Sequence, residues 1–205
     1  MQSGVGLDDI FVGIFLYRLG AAGLWVYRRF MVRRHISLVG MMGCGKSTVA
    51  RELGFFLSRP VVDVDDLISA RAGMSIPEIF EREGEAGFRQ RELACVEELV
   101  IEPHTLVIAT GGGAFVQPVT RRLLLSGSVV VYLRAEMATL AARVGTAQGR
   151  PLLAGGEDLS AKIARLLEER SFFYETADVT VAVDGVPPSV IAERLAEFFL
   201  EWARK

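Results

Sequence analysis

Gly40-Met41-Met42-Gly43-Cys44-Gly45-Lys46-Ser47 fits the pattern G-x-x-x-x-G-K-[ST]. That pattern holds nucleoside triphosphates for a mechanical reason. Its glycines let the backbone wrap a phosphate chain, and the N–H groups at the start of the next helix aim at the anion. The lysine reaches the β- and γ-phosphates and the hydroxyl ligates Mg²⁺. Here those side chains are Lys46 and Ser47, in a cradle of Gly43, Cys44, Gly45, Lys46, Ser47 and Thr48. The loop announces a nucleotide and no more. The sequence contains no Asn-Lys-x-Asp guanine motif, and 205 residues leave no room for a second large domain. A small-molecule kinase is therefore favoured over a switch or a motor.

The acceptor must be read elsewhere. In Asp63-Val64-Asp65-Asp66 the first and third carboxylates alternate, so an extended segment points both to one side and Asp66 away. One of the pair can help hold Mg²⁺, directly or through water. The other can take or orient the proton of an attacking hydroxyl. Arg89 suggests an anionic acceptor, because guanidinium forks bind carboxylates bidentately. Arg89 and Arg91 project about 200° apart on a helix, so at most one faces a site. Gly111, Gly112 and Gly113 follow an apolar run, where they let a ligand approach the backbone and leave N–H groups to bind it. The glycine-bearing stretch 143–156 reads as a mobile loop centred on Arg150, a lid that brings an arginine onto the phosphates.

These residues need a scaffold, and from His35 onward apolar runs alternate with helical patterns. Strands are expected at 35–39, 60–65, 105–110, 128–133 and 178–183. Helices are expected at 46–58, 75–84, 85–100, 118–127, 158–174 and 188–205, with a Ser75/Glu78 capping box and a break at Gly84. Continuous Val/Ile/Leu strands between helices imply a parallel sheet covered on both faces. Ligands in such a sheet sit beyond the carboxyl ends of the strands, where the glycine loop, the aspartates and the triple glycine all fall.

Composition narrows the partners. Net charge is −2 and half the chain is apolar, so a sizeable core is expected and a nucleic-acid-binding surface is not. Cys44 and Cys95 lack metal or redox spacing and read as reduced thiols of a cytoplasmic protein. His35 and His104 stand alone and are assigned to a strand edge or loop. Residues 1–34 differ from the rest. Residues 10–27 are nearly all apolar but carry Arg18, and basic residues follow. A start-site artefact or dispensable extension ranks first, a membrane-associated helix second and a transit peptide third, because an arginine in mid-span costs about 2.5–3.5 kcal/mol.

Taken together, "GMMGCGKST", "DVDD", "GMSIPEIFEREGEAGFRQRE", "ATGGGA", "GRPLLAG" and "EERSFFYETAD" resemble, in order and spacing, the shikimate kinase family. The resemblance covers residues 35 to about 200 and makes 35–205 the kinase domain. It implies a P-loop, nucleoside-monophosphate-kinase-like α/β sandwich with a five-stranded parallel sheet. It also implies a reaction, in which ATP and shikimate give ADP and 3-phosphoshikimate on the way to aromatic amino acids. Carried over, Lys46 binds the ATP phosphates, Ser47 binds Mg²⁺ and Asp63 supports the metal through its water shell. Asp65 binds the shikimate hydroxyls and acts as base. Arg89 and Arg170 grip the carboxylate, and Gly111, Gly112 and Gly113 line the substrate cavity. Arg150 closes from the lid, Arg143 matches the adenine-side arginine, and residues 183–188 lie where the adenine loop lies. Lys46, Asp65 and Arg150 are the implied catalytic residues. Cys44 departs from the small Ala or Ser usual at its position and exposes the loop to oxidation or alkylation. The implied partners are ATP and shikimate, for a cytoplasmic monomer with no nucleic acid. Membrane contact through residues 10–27 is not favoured. The rivals are another kinase of this fold, for gluconate or a nucleoside monophosphate, and a module that binds without turnover.

Overall fold

The computed structural model describes residues 35–144 and 159–203. Arg150, the rest of the expected lid and the apolar segment 10–27 lie outside them. The chain runs β1 (His35–Val39), α1 (Lys46–Leu57), β2 (Val61–Asp63), α2 (Val64–Ala72) and α3 (Ile76–Val100). It continues with β3 (Val107–Ala109), a 3₁₀ turn (Ala114–Val116), α4 (Pro118–Gly127), β4 (Ser128–Arg134), α5 (Met137–Val144), α6 (Leu159–Tyr174), β5 (Val179–Ala182) and α7 (Pro188–Ala203). The five strands form one sheet in the order β2-β3-β1-β4-β5, and every pairing is parallel. All five residues of β1 are buried, as an apolar strand flanked by other strands and covered by helices must be.

Register brings the chemistry together. Leu38 and Asp63 both pair with Ala109, so the carboxyl ends of β1, β2 and β3 are level. The glycine loop, the aspartates and the triple glycine leave the sheet side by side. Beneath them lie two apolar clusters. The larger joins β1, β4 and β5 to α1 and α7 through Leu38, Val49, Leu53, Val131, Ile191 and Leu195. The smaller, with Val64, Ile68, Ile79, Phe88, Cys95 and Ile108, fixes α2 and α3 against β3.

The expected break at Gly84 is present: this residue has φ 69° and ψ −176° inside α3. The capping box is present too, with Ser75 N–H donating to Glu78 Oε2 at 2.8 Å and Glu78 N–H to Ser75 Oγ at 3.4 Å. His35 is a structural residue whose Nδ1 accepts from Leu106 N–H at 3.1 Å.

Two expectations fail. β2 stops at Asp63 instead of running through residue 65. The Asp63 carboxylate accepts the Asp65 N–H at 3.1 Å and starts α2. An aspartate ending a strand is equally an N-cap, and here the cap prevails because Val64 and Ile68 then share the buried face of a helix. Asp65 and Asp66 therefore sit in the first helical turn, and strand alternation does not govern where they point. The second failure is Arg143, which belongs to the last turn of α5, not to a loop. Met137, Leu140, Ala141 and Val144 carry the helical spacing that marks that helix.

Candidate active site

A cleft of about 760 Å³ opens at the carboxyl ends of β1, β2 and β3. Its floor is the glycine loop with Gly43, Gly45, Lys46, Ser47 and Thr48, and Arg143 borders it. Asp63, Asp65 and Asp66 form one wall, while Thr110, Gly111, Gly112 and Gly113 form another. Ile76, Phe80, Phe88 and Arg89 of α3 close the far end. Asp66, expected to point away, thus lines the cleft, for the helical reason above. Pro188, the last residue of the stretch 183–188 assigned to the adenine loop, lines it too.

The loop adopts the shape its glycines allow. Gly43 and Gly45 have φ of 84° and 99°, a region that side-chain-bearing residues avoid. The Lys46 ammonium is almost buried and donates to the carbonyls of Gly40 at 2.9 Å and Met41 at 3.0 Å. Cys44 is 1% exposed and does not border the cleft. Its thiol is packed under the loop, 3.8 Å from Lys46 Nζ, so the expected access for alkylating reagents is absent and only its backbone can serve a phosphate. The Arg143 guanidinium reaches the Gly43 carbonyl at 3.5 Å.

Beside the far end of the cleft lies a buried carboxylate that the sequence analysis passed over. Glu92 is fully buried, and its Oε2 accepts from Arg89 Nη1 at 2.7 Å. Arg89 also donates to Glu85 through Nε and Nη2 at 3.3 and 3.1 Å. The i, i+3 spacing of Arg89 and Glu92 on α3 is the sequence signal for this pair. Arg91, about 200° around the helix, pairs with Glu83 at 2.8 Å. One arginine of the two faces the site, as expected. Burial raises the pKa of Glu92, which Arg89 opposes and the neighbouring Asp65 and Glu85 charges reinforce. Burial works to lower the pKa of Arg89, but Glu92 and Glu85 outweigh it and the net direction is upward.

The triple glycine is required by close approach. A Cβ on Gly111 would stand 2.7 Å from Glu92 Oε1 and 2.9 Å from Asp65 Oδ1, and one on Gly113 would collide with the Arg89 guanidinium. Side chains there would displace Asp65, Glu92 and Arg89 from these positions. Arg170 stands apart from the cleft lining. It is 9% exposed, and its Nη1 lies 3.5 Å from the Gly112 carbonyl.

The donor set suits a hard cation. Ser47 supplies a hydroxyl and Asp63 a carboxylate on the same cleft, and among the described residues no cluster of three or more His, Cys, Asp or Glu forms a metal cage. An ion held by one or two protein oxygens, nucleotide phosphates and water is the habit of Mg²⁺. Among the described residues, no helix is long and apolar enough to cross a membrane.

Comparison with known proteins agrees with this geometry. The family model "Shikimate kinase" matches residues 42–200. A shikimate kinase of Halorhodospira halophila is 46% identical over 163 residues, covering 79% of this chain and 91% of that protein. One from Bradyrhizobium diazoefficiens is 43% identical over 164 residues, covering 80% and 78%. The structure of shikimate kinase from Acinetobacter baumannii in complex with shikimate superposes with a TM-score of 0.78 at 37% identity, covering 85% of this chain and 97% of that one. A match this long, over a cleft that gathers the family's motifs, leaves one assignment: this chain belongs to the shikimate kinase family.

Proposed function

We propose that this chain transfers the γ-phosphoryl group of MgATP to the 3-hydroxyl of shikimate, giving ADP and 3-phosphoshikimate, with the cleft residues in the roles below. The observation that carries the reading is that the phosphate loop, three carboxylates, two arginines and the triple glycine open on one cavity. Direct in-line transfer requires only positioning and charge neutralisation, and no covalent intermediate.

Gly43, Gly45, Ser47 and Thr48 hold the phosphate chain by loop N–H groups and hydroxyls, and Lys46 supplies positive charge at the transferring group. Ser47 and Asp63 hold Mg²⁺, which when bound draws charge off the phosphate oxygens. Asp65 orients the acceptor hydroxyl and takes its proton on a carboxylate oxygen. Arg89 and Arg170 hold the shikimate carboxylate, and the N–H groups of Gly111, Gly112 and Gly113 complete the acceptor site. Arg143 lies on the adenine side. Arg150 closes over the phosphates from the lid and excludes water. We read the enzyme as a cytoplasmic monomer with no nucleic-acid partner, and residues 1–34 as dispensable for turnover.

The deciding experiment follows ADP release from the full chain with MgATP, adding shikimate, gluconate or nucleoside monophosphates in turn. Stimulation by shikimate alone is expected, and residues 31–205 should match the full chain. Stimulation by gluconate or a nucleotide would replace the assignment. Silence with every acceptor would make the site a binding module.

Two substitutions test the acceptor end. Arg89→Ala should raise the shikimate KM by about 10²-fold and the ATP KM by no more than about threefold, since hydrogen bonds to charged groups contribute roughly 1.5–3 kcal/mol. Equal changes in both constants would make Arg89 structural. Glu92→Gln should separate stability from function. The folded pKa of Glu92 is raised, so its favourable contribution is present below the unfolded carboxylate value and lost as pH rises through the folded one. Gln does not titrate, so the melting temperature of the variant should improve relative to wild type as pH rises above the ordinary carboxylate range. Its shikimate KM should nonetheless rise about tenfold, because Arg89 loses its charged anchor. A stability difference that stays flat with pH would refute the assigned burial cost.

A further inference from the structure

Tyr174 takes no part in the reading above, yet among the described residues it is the largest fully enclosed side chain, with no exposed surface. It ends α6, one helical turn after Arg170. Its ring stacks on Tyr132 of β4 with centroids 5.1 Å apart and planes 24° apart. Its hydroxyl donates to the carbonyl of Gly112. The Arg170 guanidinium lies beside that hydroxyl and reaches the same carbonyl at 3.5 Å.

A trans peptide sets the C=O of one residue and the N–H of the next in opposite directions. Drawing the Gly112 oxygen toward α6 therefore turns the Gly113 N–H the other way, away from α6, and both glycines line the cleft. On the same residue a Cβ would collide with the Arg89 guanidinium, so that group packs closely on Gly113. None of the N–H groups of Gly111, Gly112 and Gly113 donates to another described residue. We propose that Tyr174 is a positioning residue for the acceptor: its buried hydroxyl fixes the Gly112–Gly113 peptide so that the Gly113 N–H stands as a ready donor next to Arg89.

The role demands a hydroxyl that is always protonated and a ring that cannot turn. Burial holds the Tyr174 phenol well above its ordinary range, and the stack on Tyr132 fixes the ring. Glycine alone has no stiffness at this position, so the orientation must be imposed from outside the loop. A donor set in place before the substrate arrives saves the cost of ordering it during binding.

The proposal rests on the shikimate kinase reading, and the test separates the two. Tyr174→Phe keeps the ring and its stack but removes the donor. It should raise the shikimate KM about tenfold, with kcat within about threefold and the ATP KM within about twofold of wild type. Tyr132→Phe, which removes a hydroxyl from the same stack but no bond to Gly112, should leave the shikimate KM unchanged. An unchanged shikimate KM in Y174F, or equal rises for both substrates, would overturn the proposal. Should Y174F not fold, amide exchange in ¹⁵N-labelled wild-type enzyme gives the same decision. The Gly113 N–H should exchange freely alone and become protected with shikimate. Protection without shikimate, or none with it, would overturn the assignment. Wild-type enzyme that shows no shikimate-dependent ADP release would undo the parent reading instead.

Discussion

Asp65→Asn is expected to lower kcat by about 10²–10⁴-fold, the range that a positioned general base contributes. The substitution keeps the shape and one acceptor oxygen but replaces the other with a donor and removes the charge that accepts the hydroxyl proton. Stability should move little, because two electrostatic effects oppose each other. Asp65 sits in the first turn of α2, where a negative charge contributes about 0.3–1 kcal/mol through the helix dipole. It also repels the buried Glu92 carboxylate and helps to raise its pKa, so neutralising it relieves Glu92. The melting temperature should stay within about 4 °C of wild type. Shikimate affinity, measured by equilibrium binding without nucleotide, should change far less than kcat, since Asn can still hold the hydroxyls. A variant that turns over within about tenfold of wild type would show that Asp65 orients the acceptor without taking its proton.

How much of this site could be read from residues alone depends on whether the cause was local. The phosphate loop was legible because its glycines, Lys46 and Ser47 act through the backbone they belong to. The strand pattern gave the sheet, since buried parallel strands must be apolar throughout. The end of β2 was misplaced because Asp63 suits a strand terminus and an N-cap alike, and only the apolar face shared by Val64 and Ile68 decides between them. Glu92 and Tyr174 were invisible for a different reason. A glutamate in a helix reads as a solvated charge and a tyrosine near a helix end as core. The pairing of Glu92 with Arg89 is local to one helix, but that Glu92 is enclosed beside Gly111, and that the Tyr174 hydroxyl meets Gly112, depends on contacts between elements distant in the chain. The cleft itself follows from register: Leu38 and Asp63 both pair with Ala109, which no local pattern states.

Lys46→Met should lower kcat by at least about 10³-fold, at the upper end of what one preorganised donor to a developing charge supplies. An ammonium has three donors. Two are engaged by the carbonyls of Gly40 and Met41, and among the described residues the only other partner nearby is the Cys44 sulfur at 3.8 Å, a weak acceptor. That third donor is the one a phosphate oxygen can claim without loosening the loop. Methionine retains the apolar stem and loses all three donors, so Gly40 and Met41 keep buried carbonyls without this partner. The cost in stability should be about 1–3 kcal/mol, or roughly 2–12 °C in melting temperature for a domain of this size. The two effects are separable by ADP binding. If Lys46 acts on the transferring charge, ADP affinity should fall by no more than about tenfold while single-turnover transfer falls about 10³-fold, because the interaction strengthens only as charge develops. If its main work is to brace the loop, ADP affinity and transfer should fall together, and the phosphate-stabilising role would have to be given to the remaining loop N–H groups.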